Sequence, residues 1–92
     1  MNMNSEDAPK IEFPCDDYVI KIVGDAVPEY KPFVAGVLQK YDSTVHEARF
    51  SENPSKNGNF VSLTIRMRIE EEGHLEALFV ELKGNSMVKM VL

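Results

Sequence analysis

From residue 60 to residue 70 the chain alternates without a break. Val61, Leu63, Ile65, Met67 and Ile69 fall on one side, and Phe60, Ser62, Thr64, Arg66 and Arg68 on the other. A period of two places these sets on opposite faces of an extended strand, and a slip of one residue would turn the whole apolar set into water. The segment therefore predicts a long strand with one buried and one polar face. Having no proline, it is expected to be central in its sheet. Such a sheet needs helices over its apolar side and leaves its polar side open.

The remaining segments supply the helices and further strands. The run DYVIKIV at 17–23 is rich in β-branched and aromatic residues and stops at the turn signal Gly24-Asp25. Its alternation sets Tyr18, Ile20 and Ile22 inward and Val19, Lys21 and Val23 outward. Over 28–41 the apolar residues Tyr30, Phe33, Val34, Val37, Leu38 and Tyr41 recur at helical spacing and form one stripe. Pro28 suits a first helical position, whereas Pro32 would break a bond to the opening turn of a helix begun there, so a regular helix is expected from about Pro32. Gly36 in its middle is expected to mark a close approach to the sheet.

A strand is expected at 44–51, with Val45, Glu47 and Arg49 on one side and His46, Ala48 and Phe50 on the other. The stretch SENPSKNGN at 51–59 reads as a long hairpin loop. Leu75, Leu78, Phe79 and Leu82 give a second helix. It would begin among Glu70, Glu71 and Glu72 and end at Lys83-Gly84, with the glycine in a left-handed cap. Residues 87–92 form a last strand, with Val88, Met90 and Leu92 inward and Lys89 outward. Residues 1–10 have almost nothing to bury and are expected to be a disordered tail. Residues 11–92 make a single domain, with Ile11 and Phe13 anchoring its start.

The order is β-α-β-β-α-β. This defines the α+β class and a ferredoxin-like two-layer sandwich: a four-stranded antiparallel sheet with two helices on one face. The two best-patterned strands, at 17–23 and 60–70, lie in the middle. The uncovered face is where function is sought, and the strand phases place Lys21, Arg66, Arg68, Lys89 and Arg49 there. Val19, Val23, Phe60, Met87 and Val91 surround them. Two readings of this face stay open. Its cations are ordinary solvated positions whose stems cover apolar neighbours, and its apolar residues form a homodimer contact. Alternatively, the cations bind an anion: a carboxylate metabolite, RNA or an acidic partner protein.

Charge and reactive side chains narrow the choice. Ten Lys and Arg against fifteen Asp and Glu give a net charge of −5 over 92 residues, which opposes general attraction to nucleic acid or an anionic membrane. An RNA-recognition motif would need aromatics on two strands. Here Phe60 stands alone, because Gly58 and Leu63 occupy two of the aromatic positions. A single cysteine, Cys15, excludes an internal disulfide and suits a cytoplasmic location, and its neighbours Asp16 and Asp17 disfavour a nucleophilic role. His46 and His74 lack metal-ligand spacing to each other or to Cys15. Glu70, Glu71 and Glu72 read as a helix start. The loop Ser55-Lys56-Asn57-Gly58-Asn59 lacks the strand-to-helix setting of a phosphate-binding loop. No apolar run is long enough to cross a membrane. No catalytic residue, cofactor or metal is assigned, and the chain is read as non-enzymatic.

Specific residues also carry a resemblance. The run Glu12-Phe13-Pro14, then Lys21 ahead of Gly24 with Pro28-Glu29 following, then Pro54-Ser55, Gly58-Asn59-Phe60 and Ser62, and the ending Glu81-Leu82 with Val88-Lys89-Met90-Val91-Leu92 together resemble the YbeD family of small bacterial proteins. The resemblance spans 11–92. It implies a ferredoxin-like fold similar to the ACT regulatory domain and a regulatory or ligand-sensing role linked to lipoate metabolism. ACT domains bind small metabolites near the turn after the first strand, which implicates Gly24. The expected ligand or partner face is thus Lys21, Gly24, Arg49, Phe60, Arg66, Arg68 and Lys89. The expected partners are a protein, a second copy of the chain or a small anionic metabolite. An adaptor that adds a partner strand to the last strand's edge is the alternative, and RNA binding the third reading.

Overall fold

The computed structural model describes residues 11–92, so the expectation for the tail at 1–10 lies outside the described residues. The chain forms strand β1 (Cys15–Asp25), helix α1 (Tyr30–Gln39), a 3-10 turn (Glu47–Arg49), β2 (Ser51–Pro54), β3 (Phe60–Ile69), helix α2 (Glu72–Lys83) and β4 (Val88–Val91). The four strands make one antiparallel sheet in the order β2-β3-β1-β4. This is the ferredoxin-like arrangement, with the two predicted strands at its centre.

Burial follows the alternation. Ile20 and Ile22 of β1 and Leu63, Ile65, Met67 and Ile69 of β3 are buried, and they pack with Tyr30, Val34, Ala35, Val37 and Leu38 of α1 and Leu78 and Leu82 of α2. All these residues belong to one cluster, so both helices cover the same sheet face. Each fully buried Ile or Leu is worth about 1.5–3 kcal/mol relative to an exposed one. At the start of the domain Phe13 stacks on Tyr18, with ring centroids 6.3 Å apart, and packs against the core, whereas Ile11 is exposed.

Several local expectations are corrected. The strand foreseen at 44–51 is not there. That stretch is a loop with a 3-10 turn, tied down by the buried Val45 and Phe50, and β2 forms in the first part of the presumed hairpin loop. All four residues of β2 are exposed, so an edge strand with no buried face left no alternation to read, and its Pro54 is tolerated because an edge strand needs partners on one side only. α1 begins at Tyr30, which puts Pro32 in the first turn, where an N–H would have no helical partner. Gly36 approaches nothing: a methyl group there would meet no atom within 4 Å. Gly84 ends α2 with a φ of −72°, a right-handed cap whose N–H donates to the carbonyl of Val80.

β4 differs in phase. Its pairing with β1 shifts between Val23 and Gly24, so that Met90 faces Val23 and Val88 faces Gly24 with Lys89 as the extra residue. The bulge turns Val91 inward with Ile22 and leaves Met90 and Leu92 exposed, opposite to the expected alternation. Half-buried Met87 also joins the core side.

Candidate functional site

The uncovered face of the sheet carries the outward residues of β1 and β3, in rows set by the register. Lys21 lies beside Thr64, which lies beside Ser51 of β2. Val19 lies beside Arg66, and Val23 beside Ser62. Val19, Phe60, Met90 and Leu92 are exposed apolar side chains, and Phe60 is the one aromatic ring on this face among the described residues.

Four of the five predicted cations divide into two groups. Arg68 is held on the outer side by Asp16 and Glu70, and its guanidinium keeps the Glu70 carboxyl below the usual carboxylate range. Lys89 sits at the β4 bulge, 3.6 Å from Asp25 and donating to the carbonyl of Ser86. These charges are already answered within the chain. Lys21 and Arg66, by contrast, have no carboxylate within ion-pair distance among the described residues. They point into solvent from the two central strands.

Arg49 reaches the sheet by another route than the one foreseen. It belongs to the 3-10 turn, and its guanidinium donates to the backbone carbonyl of Arg66 and to Thr44 Oγ1, the latter at 2.7 Å. β2 pairs with β3 only as far as Thr64, so the edge of β3 beyond that residue has no neighbouring strand. Two side chains close it. Arg49 caps the carbonyl of Arg66, and Asp42 Oδ2 accepts the N–H of Arg68 at 3.0 Å. Burial works against the charge on Asp42, but hydrogen bonds from the Thr44 hydroxyl and from the N–H groups of Arg68 and Thr44, together with Arg49, hold its carboxyl below the usual value. Sequence reasoning missed Asp42, because nothing in its spacing links a loop aspartate to a strand twenty-six residues on.

Gly24 is not part of this face. It lies within β1, on the helix side, with the Tyr30 ring against it and the Tyr30 hydroxyl donating to the carbonyl of Ile22 at 2.9 Å. Burial, with a smaller effect of Asp25, pushes the Tyr30 hydroxyl pKa up. The strand continues to Asp25, and Ala26 donates to the carbonyl of Asn59. Beyond it, on the helix layer, a concavity of about 460 Å³ opens between the start of α1 and β2, walled by Val27, Pro28, Pro32, Pro54 and Val61. Its one ammonium, Lys31, is paired with Glu52. Of these two surfaces, the outer face carries unpaired cations and this concavity carries none. Among the described residues no group of His, Cys, Asp or Glu is placed to hold a metal, and no helix is long and apolar enough to cross a membrane.

Fold and face together define a small ferredoxin-like domain with one bare, partly cationic sheet surface. Residues 8–92 match the model of a family described as "Protein of unknown function (DUF493)", and the chain belongs to that family. Its relatives include a UPF0250 protein of Hahella chejuensis, 36% identical over the whole of both chains, and a UPF0250 protein of Pseudomonas putida strain KT2440, 40% identical over 90% of each. The YbeD resemblance falls within this family. The solution structure of protein HP0495 from H. pylori matches the fold with a TM-score of 0.67 at 21% identity, covering 100% of this chain and 97% of that one.

Proposed function

We propose that this chain is a non-enzymatic regulatory interaction module of the cytoplasm whose open sheet face docks an acidic partner protein. One observation carries the reading: Lys21 and Arg66 stand on the uncovered face without an ion-pair partner among the described residues, between exposed Val19, Phe60 and Met90. Apolar surface gives such a contact its affinity, and unpaired cations give it orientation and a preferred partner sign. A second copy of the chain stacked face to face with the two-fold axis passing near Lys21 and Arg66 would bring these cations toward their own duplicates, which costs energy that an acidic surface would return. Proteins of lipoate attachment, to which the family resemblance points, are the first partners to try.

The test is crosslinked capture followed by mass spectrometry, with wild-type protein and the Lys21→Glu/Arg66→Glu double variant as parallel baits. Wild type is expected to enrich partners with acidic surfaces that the double variant loses while keeping its circular dichroism spectrum. Equal recovery of the same partners by both baits would refute the docking face.

A further inference from the structure

The outer face is not flat where β2 stops. Ser51 is the first residue of β2 and pairs with Thr64, and before it the chain bends away through the 3-10 turn that carries Arg49. The gap beside β3 becomes a concavity of about 290 Å³ lined by Val19, Arg49, Ser51, Thr64, Ile65 and Arg66. Two arginines and two hydroxyl residues thus line one pocket beside the exposed Val19, while the Ile65 side chain itself turns to the core. A neighbouring concavity of about 230 Å³, lined by Lys21, Val23, Phe60 and Ser62 among others, continues it along the same face.

The hydrogen-bonding state of these groups is unequal in an informative way. Arg49 is fixed, since its two terminal nitrogens donate to Thr44 and to the carbonyl of Arg66, and a guanidinium held by both ends keeps its remaining N–H donors in a set direction. Arg66, Ser51 and Thr64 make no side-chain hydrogen bond among the described residues. Asp42, 3.8 Å from Arg49, offsets part of the positive charge, but its oxygens already accept from Thr44 and Arg68. Lys21, in register with Thr64, restores a cation in the next row. The free donors exceed what the two oxygens of a carboxylate accept. They suit a tetrahedral group with three terminal oxygens and nearly two negative charges.

We propose that this pocket seats the phosphoryl group of a phosphate monoester, with Arg49 and Arg66 clasping its oxygens, Ser51 and Thr64 donating from the β2–β3 side, and the remainder of the ligand lying along the Lys21–Phe60 concavity. The inference rests on the reading of the outer face as an anion-receiving surface and adds its chemistry. It has a consequence for regulation: a ligand held by Arg66 occupies a residue that the acidic partner also needs, so the two compete.

The test is a titration of isotopically labelled protein with O-phosphoserine, inorganic phosphate and glutamate, followed by amide NMR. O-Phosphoserine is expected to give saturable shifts at Ser51, Thr64 and Arg66, with glutamate weaker by about tenfold, the difference a doubly charged, three-oxygen acceptor makes. Arg66→Ala, at an exposed residue whose side chain holds nothing in place, should weaken O-phosphoserine by at least about tenfold, and Arg66→Lys, keeping charge but losing the fork, should fall between. Inorganic phosphate binding as tightly as O-phosphoserine would assign the affinity to the phosphoryl group alone, and tighter binding of the monoester would assign a share to the adjoining concavity. Either outcome supports the site. No saturable shift at millimolar ligand, glutamate binding equal to O-phosphoserine, or affinity unchanged in Arg66→Ala would each overturn it. Capture of an acidic protein lost in the charge-reversal variant would survive that failure, so the two readings fall separately.

Discussion

The Tyr30 ring stands where a side chain at residue 24 would have to begin. A methyl group on Gly24 would lie 2.6 Å from Tyr30 Cζ and 2.7 Å from the carbonyl oxygen of Met87. The ring could turn away only by giving up its buried bond to Ile22, and the carbonyl belongs to the chain entering β4. Gly24→Ala should therefore destabilise by about 3 kcal/mol, at the upper end for overpacking. Tyr30→Phe keeps the ring and loses one buried hydrogen bond, costing about 1–2 kcal/mol. Urea denaturation measures both, and a midpoint for Gly24→Ala equal to that of wild type would show that the ring is not confined.

Gly36 invites the opposite experiment. It lies in the middle of α1 with open space where a side chain would point, so Gly36→Ala should stabilise by about 0.5–1 kcal/mol through a smaller loss of backbone freedom on folding. Gly58, with a φ of +75° in the β2–β3 connection, should lose stability on the same substitution despite equally open surroundings. Thermal melts of the two variants moving in the same direction would contradict this assignment.

Asp42 makes stability depend on acid. Its folded-state pKa is lowered, so its contribution is full above the ordinary aspartate value of about 3.9 and is lost as pH falls through the folded-state value, because the unfolded chain takes up the proton first. Asp42→Ala, which leaves the N–H of Arg68 and part of Arg49 unanswered, should cost about 1–3 kcal/mol at neutral pH. Denaturation curves of variant and wild type should draw together as pH falls below the ordinary aspartate value of about 3.9. A gap that stays constant with pH would mean that the carboxylate charge is not what closes the β3 edge.

The division of cations on the open face is testable without knowing the natural partner. Arg68→Ala and Lys89→Ala break exposed, solvent-screened ion pairs and should leave binding of an acidic peptide close to wild type. Lys21→Ala and Arg66→Ala should weaken it and flatten its dependence on salt. Fluorescence anisotropy at two ionic strengths separates these outcomes, and equal losses in all four variants would dissolve the distinction between answered and unanswered charge.

What was legible in the chain was what burial writes into it. The strands with one apolar face, β1 and β3, were read in the right phase because their inward residues, Tyr18, Ile20 and Ile22 in one and Val61, Leu63, Ile65, Met67 and Ile69 in the other, are all large and apolar and meet the core. β2 was misplaced because an edge strand exposed at every position obeys no period, and its residues Ser51, Asn53 and Pro54 are turn formers by composition. β4 was misphased by a bulge at Lys89, which no pattern of four residues can announce. On the candidate face, Lys21, Phe60 and Arg66 followed from alternation alone. The roles of Arg49 and Gly24 did not, because one acts through a guanidinium reaching from a turn and the other through the absence of a side chain beneath a ring.

The strand order also bears on how the chain comes apart. With β2-β3-β1-β4 as the sequence of neighbours, every pairing joins a strand from before the connection at 55–59 to one from after it. Cleavage at Gly58 would leave two halves, each a helix with two strands that do not pair with one another, and hence no sheet in either. The halves should be unstructured alone and fold only on mixing, with the helical signal rising in step with their association. By design of its topology, this small domain is an intramolecular heterodimer whose subunits happen to share a peptide bond.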